Sequence, residues 1–171
     1  RLPDFARLHP DVTINMATRL EPFNFAAESF DAAIWYGSGD WPGTERLLLK
    51  HEQVLPVCAP GIAHRATRPQ DLLKLPLLHI QSRPRAWAGW FAHHDVPLAG
   101  PVPGTLYDQF STITQAALHG LGVALMPDYL VEQDLATGRL IAPCSGPIES
   151  AGAYYLAWPH GKTQDTALRR R

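Results

Sequence analysis

Residues 31–60 read DAAIWYGSGDWPGTERLLLKHEQVLPVCAP, and the rest of the chain is organised around this stretch. Ala32-Ala33-Ile34-Trp35-Tyr36 is a near-continuous apolar run closed by Gly37. Too short for a helix and apolar on both alternating faces, it reads as a buried strand of a parallel sheet. The loop over residues 38–43 then lies at that strand's carboxyl end, where open α/β sheets bind ligands. Residues 47–49 and 54–58 read as two more strands. The second is expected to be a crossover between two lobes, and Ala59-Pro60 turns the chain away.

Upstream, Leu2, Phe5 and Leu8 recur at helical spacing until His9-Pro10, and Val12, Ile14 and Met16 alternate as in a strand whose neighbour would precede residue 1. Downstream, Pro69 suits the first turn of a short helix that Pro76 ends. Residues 77–80 are a strand with residues 81–85 as its exit loop. Trp87, Trp90, Phe91 and His94 then fall on one face of a helix and are assigned to the core. Residues 105–107 can extend, and Asp108 is expected to cap a helix running to about His119, with Gly120 as its stop. Residues 122–126 form a buried strand ended by Pro127, and a helix capped by Asp128 runs through Leu135, with Gly138 as its stop. Residues 140–142 read as a strand, 143–152 as a loop, and 153–158 as a second crossover; residues 168–171 look like the start of another helix. Strands alternating with helices make the fold class α/β, with parallel or mixed sheets. Two crossings predict two lobes, 1–57 plus 157–171 and 58–156, joined at a hinge.

A chain of 171 residues with 46% hydrophobic and 18% charged residues can bury one good core or two small ones. Fifteen Lys+Arg against sixteen Asp+Glu leave a net charge of −1, without the basic excess that phosphate-backbone binding needs. No run has the length of a membrane span and the first residues are not a signal peptide. Cys58 and Cys144 are too few for a disulfide framework and lack metal-ligand spacing, which reads as a reducing cytoplasm.

Candidate chemistry narrows by elimination. The glycines of residues 37–43 lead into a strand-like Leu run and not into a helix amino terminus, so a phosphate cradle is not expected. Gly120-Leu121-Gly122 follows a helix and precedes a strand, the reverse of a dinucleotide fingerprint. The eight histidines include no H-x-x-x-H pair and no neighbouring cysteine cluster, so neither metal nor cofactor is expected. His79, at a strand end, either donates into a cleft or satisfies a neighbouring carbonyl. No nucleophile elbow surrounds Ser38, Ser82 or Ser111, which leaves no positive reason to expect an enzyme. An enzyme on this scaffold would show a cluster of perturbed titratable groups, whereas a sensor should show mainly neutral donors with charges at the rim.

What remains is a cleft built from strand exits: Thr18; Tyr36, Gly37 and Ser38; Gln81 and Ser82; and the helix start at Gln109, Phe110 and Ser111. Neutral hydrogen-bonding groups and free helix-start amides suit a small carboxylate-bearing metabolite. Arg83 and Arg85 stand at one rim as either ligand-assisting or merely solubilising charges. Thr18 is equally a polar loop residue.

Several ordered motifs carry a resemblance over essentially the whole chain. D-x-A-I-x-Y-G-x-G-D-W-P-G from Asp31, then Glu52 and P-V-C-A-P from Pro56, resemble the effector-binding domain of LysR-type transcriptional regulators. The likeness is strongest to the branch of glycine-cleavage activators and β-lactamase regulators. F-x-x-x-x-P-D-V from Phe5 and A-A-x-x-G-x-G-V-A-L-x-P from Ala116, followed by Gly138 and Leu140, match the same family. The resemblance implies a two-lobed, periplasmic-binding-protein-like type II fold with two crossover strands. It implies a small-molecule effector in the inter-lobe cleft, touching Thr18, the loop from Gly37, residues 109–111 and Tyr154. It also implies a winged helix-turn-helix before residue 1 that binds DNA, assembly as a homodimer or homotetramer, and a cytoplasmic location. The alternative is a solute-binding protein of a transport system.

Overall fold

The computed structural model describes residues 2–19, 23–144 and 146–161. They fall in two units, one within residues 1–35, 39–47 and from Tyr155 onward, the other made of residues 36–38 and 48–154. Six strands follow one another in the order β1-β6-β2-β5-β3-β4. They are β1 (Ala33–Gly37), β2 (Thr44–Val57), β3 (Leu77–Ile80), β4 (Thr105–Tyr107), β5 (Val123–Pro127) and β6 (Ile148–Pro159). The sheet is mixed: β3 is parallel to β4 and β5, while β2 is antiparallel to β5 with Val54 opposite Pro127 and Val57 opposite Ala124. β2 and β6 each contribute residues to both units.

In the larger unit, side-chain alternation along the strands builds a three-layer packing. Val123 and Leu125 of β5 join Val54 and Leu77 in one apolar cluster, covered by α3 (Ala86–His93) through Trp87, Trp90 and Phe91. Ala124 and Met126 face the other way with Leu55, Leu78 and Ile80, and there α4 (Phe110–Leu118) and α5 (Asp128–Ala136) supply Ile113, Ala117 and Val131. Each fully buried Val, Leu, Ile, Phe or Met among them stabilises by about 1.5–3 kcal/mol. The aromatic face of α3 is core, as its spacing predicts, and Trp87 Nε1 donates to the Leu78 carbonyl at 2.9 Å. After α2 (Pro60–Ala63), the short helix before β3 is a 3₁₀ turn (Pro69–Lys74), whose Asp71 carboxylate accepts the Arg68 N–H at 3.1 Å. Gly120 and Gly138 stop their helices at φ of 74° and 70°.

Several expectations are corrected. β1 is not buried on both faces: it ends the strand order, has one neighbour, and leaves Ile34 67% exposed. The two runs after it are one continuous fourteen-residue strand, β2. Residues 12–17 form no strand, because alternation needs a neighbour to supply ladder hydrogen bonds; Ile14 and Met16 stay exposed. Asp108 does not cap α4, since Gln109 occupies that position without a side-chain cap bond. α5 starts from Pro127, and Asp128 serves its first turn by accepting the Tyr129 N–H at 2.7 Å. Residues 140–142 reduce to one bridge between Ile141 and Cys58, and β6 begins at Ile148, inside the expected loop. The expected helix at residues 168–171 lies outside the described residues.

The smaller unit contains α1 (Leu2–Leu8), which buries none of its side chains. It also gathers Phe23, Phe25 and Phe30 with Trp35 and Trp41, Trp41 lying within 5.7 Å of Phe23, Phe25 and Trp35.

Candidate functional site

In the larger unit, strand ends and the start of α3 enclose a cavity of about 440 Å³. That is the scale of small-molecule sites, which are concave, mostly apolar and carry a few placed polar groups. Tyr36, Gly37 and Ser38 reach it from the end of β1, Ser82, Arg83 and Arg85 from the loop after β3, and Ala86, Gly89, Trp90 and His93 from α3. Val54, Leu125, Pro127 and Ile148 supply apolar wall, with Phe110 from the start of α4. Loops leaving the carboxyl ends of strands place ligand-binding groups this way in α/β sheets.

One edge of the cavity is a buried polar network. On β6, Ser150, Gly152 and Tyr154 alternate onto one face; β1 brings Tyr36 beside it and β2 brings Glu52. Glu52 is 1% exposed. Its carboxylate accepts from Arg83 Nη2 at 3.3 Å and Nε at 3.5 Å, from the Tyr154 hydroxyl at 3.0 Å and from the Ser150 hydroxyl at 3.1 Å. The Tyr36 and Ser150 hydroxyls are 2.8 Å apart, and Tyr129 donates to the Tyr154 oxygen at 2.8 Å. Because a hydroxyl has one hydrogen, and that of Ser150 goes to Glu52 or to the Gly152 carbonyl, also at 3.1 Å, Tyr36 is left to donate to Ser150. Two hydroxyl chains therefore converge on one carboxylate.

Aromatic rings seal this network. The Arg83 guanidinium lies 3.1 Å from the Tyr36 ring centroid and 5.6 Å from that of Phe110. Gly152 makes room for the seal: a Cβ there would sit 2.6 Å from Tyr36 Cζ. Burial holds the hydroxyls of Tyr36, Tyr129 and Tyr154 above the ordinary tyrosine value, with the Glu52 charge adding to the rise at each. These groups keep their protons and act as donors, not as bases or nucleophiles.

The titration has a consequence for stability. Above pH about 10 the unfolded chain releases tyrosine protons that the folded chain retains, so fewer protons are bound unfolded than folded and the free energy of unfolding falls as pH rises. Cys58 and Cys144, pushed by burial from 9.0 up to about 11, act in the same direction from about pH 9. The expected result is a urea midpoint that declines above pH 9, with a shallower decline in Tyr154→Phe above pH 10. A midpoint unchanged up to pH 11 contradicts the burial described for these hydroxyls.

The cavity gathers Tyr36, Gly37, Ser38, Ser82 and Phe110 among the sequence-derived candidates. Tyr154 belongs to the network at its edge. Gln81, Gln109 and Ser111 lie in the same unit but do not line the cavity, and Ser111 turns its hydroxyl to Gln109 Oε1 at 3.4 Å. Thr18 is exposed in the smaller unit. His79 resolves to the carbonyl-satisfying alternative, pairing with Pro103 O at 3.3 Å.

Two features depart from expectation. Arg83 is no solubilising rim charge, since its side chain is only 11% exposed and pairs with Glu52. The site is therefore not composed of neutral donors alone, and the titratable cluster reserved for an enzyme is present in part. Glu52 was legible only as a motif residue, because Lys50-His51-Glu52-Gln53 reads as a polar surface run. Among the described residues no group of three His, Cys, Asp or Glu side chains is placed to hold a metal ion, and no helix is long and apolar enough to cross a membrane.

Residues 1–170 match the LysR substrate binding domain. The HTH-type transcriptional activator AmpR of Rhodobacter capsulatus is 36% identical over 168 residues, covering 98% of this chain and 57% of the relative. The glycine cleavage system transcriptional activator of Escherichia coli K12 is 34% identical over 161 residues, 91% of this chain and 52% of the relative. The chain thus spans somewhat over half the length of these curated relatives. Among solved structures, the effector domain of AmpR from Pseudomonas aeruginosa superposes with a TM-score of 0.87 at 30% identity, covering 99% of this chain and 81% of that one. The effector-binding domain of AmpR from Citrobacter freundii gives 0.83, also at 30% identity, over 98% of this chain and 84% of that one.

Proposed function

This chain belongs to the LysR substrate-binding domain family, with its periplasmic-binding-protein-like type II α/β fold, and on that footing we propose that it is the sensing part of a DNA-binding transcriptional regulator. A small effector occupies the cavity of the larger unit, contacting Tyr36, Gly37, Ser38, Ser82 and Phe110, while Tyr154 and Glu52 hold those contacts in place. The observation that supports this most is the buried network itself: Glu52 and Arg83 are engaged with each other and the tyrosines stay protonated, an arrangement suited to holding a ligand rather than transforming it. DNA contact belongs to a helix-turn-helix domain of the longer protein, which assembles as a homodimer or homotetramer in the cytoplasm. A transport solute-binding protein is disfavoured, since the relatives above are named as transcriptional activators.

Thermal-shift screening against amino acids, aromatic acids and cell-wall fragments tests the reading, because a ligand at 100 times its Kd stabilises by about 2.7 kcal/mol. Gly89 gives the control. It lies in α3 on the cavity wall, and a Cβ there meets nothing within 4 Å. Gly89→Phe should fill the cavity, keep the melting temperature of the free protein, and abolish the shift produced by any ligand found. A shift of unchanged size in this variant places the ligand elsewhere.

A further inference from the structure

At the end of the larger unit away from the cavity, β3 and β5 begin, β2 finishes, and α4 and α5 run out. Backbone hydrogen bonds draw these segments together. Cys58 and Ile141 exchange N–H to carbonyl bonds of 3.0 and 2.8 Å, and the Val123 N–H donates to the Pro76 carbonyl at 2.9 Å. Three large aliphatic side chains remain in solvent there: Leu73 is 41%, Leu121 59% and Ile141 38% exposed, and Pro60 and Pro76 on the same segments are exposed as well. Leu121 is the most telling of them. It follows Gly120 in a Schellman ending of α4, where the Leu121 N–H donates to the Ala116 carbonyl and the Gly120 N–H to that of Ala117, both at 3.0 Å. An apolar residue at that position commonly folds back onto its own helix, yet Leu121 stays out, whereas Leu140, just past the stop of α5, is buried.

The same segments are basic. Residues 58–76, 118–122 and 137–142 hold Arg65, Arg68, Lys74 and Arg139 against Asp71 alone, in a chain whose net charge is −1. Asp71 is shared by Arg68 and Lys74, at 3.4 and 3.7 Å, and Arg139 pairs with Asp134 of α5. Four cations thus meet two carboxylates, and the exposed Arg65 has no acidic partner among the described residues.

We propose that this end of the larger unit docks an acidic segment of a partner protein, one that presents apolar side chains between its carboxylates. The aliphatic side chains supply the area whose burial drives association, and the cations supply the charge that steers the encounter and selects the partner. Nucleic acid fits less well, because phosphate contacts use the cations and leave Leu73, Leu121 and Ile141 in water. Docking here requires nothing of the cavity.

Fluorescence anisotropy on the 171-residue chain tests this with four labelled probes. They are a peptide of Glu and Leu with its leucines at helical spacing, the same peptide with Lys for every Glu, an all-Glu peptide of equal length, and a short DNA duplex. The Glu/Leu peptide should bind about tenfold or more tightly than the all-Glu peptide, and the Lys/Leu peptide should not bind. Raising the salt from about 0.05 to about 0.5 M should weaken the Glu/Leu complex. Leu121→Gln and Arg65→Glu should each weaken it by about fivefold or more, and together abolish it. Both positions are exposed, so the melting temperature should hold in these variants.

Absence of Glu/Leu binding at millimolar concentration, or binding that survives in the double variant, overturns the proposal. So does equal affinity for the Glu/Leu peptide and either of the other two peptides, since one pairing removes the role of charge and the other that of the aliphatic side chains. DNA bound more tightly than any peptide, and lost in Arg65→Glu, assigns the surface to nucleic acid and overturns the proposal as well.

Discussion

Glu52→Ala should lower the free energy of unfolding by about 3–5 kcal/mol, a large share of the 5–15 kcal/mol available to an ordinary domain. Truncation leaves the Arg83 guanidinium buried without its counter-charge and strands the Tyr154 hydroxyl, which now donates to Glu52, while the Ser150 hydroxyl can turn to the Gly152 carbonyl. The loss comes from those orphaned groups, since a buried ion pair need not stabilise against an apolar pair of similar size. Glu52→Leu combined with Arg83→Met should therefore recover most of the deficit while losing ligand binding, because the carboxylate that orients the hydroxyl chains is gone. Urea unfolding of Glu52→Ala and of the double variant measures this. A Glu52→Ala midpoint within experimental scatter of the unaltered protein would remove the network from any structural role.

Gly152→Ala is the smallest change with the second largest expected effect. The added methyl would lie 2.6 Å from Tyr36 Cζ and 2.8 Å from Tyr36 Cε1 and the hydroxyl oxygen. Tyr36 cannot easily withdraw, because the Arg83 guanidinium covers its ring and Tyr154 packs against it in a T-shaped contact at 5.4 Å. Overpacking of this kind costs about 1–3 kcal/mol, and losing the Tyr36–Ser150 hydrogen bond adds about 1 kcal/mol. Near-UV circular dichroism should report the displaced ring, and ligand-induced stabilisation should fall with it. Tyr36→Val added to Gly152→Ala relieves the clash, so the double variant should regain stability without regaining ligand response. If Gly152→Ala alone keeps both, the close approach of β6 to the Tyr36 ring is not what shapes this side of the cavity.

The two variants separate roles that the wall of the cavity combines. Glu52 sets which way hydrogens point along the hydroxyl chains, and Gly152 sets where the Tyr36 ring lies.

Local chemistry determined much of this protein from the sequence alone. The run Val123-Ala124-Leu125-Met126 before Pro127 is a strand buried on both faces, the indole and phenyl spacing of α3 puts three rings in the core, and Gly120 and Gly138 stop helices at positive φ. In each case the cause lies within a few residues, as a period or a backbone preference. Tertiary structure alone decided the rest. The alternation at residues 12–17 makes no strand without a neighbour, β1 is only half-buried at the end of the strand order, and a polar run in β2 hides Glu52 because Arg83, Ser150 and Tyr154 come to it from 31, 98 and 102 residues away. A carboxylate's burial depends on which partners reach it across the fold, and nothing in its own neighbourhood along the chain encodes that.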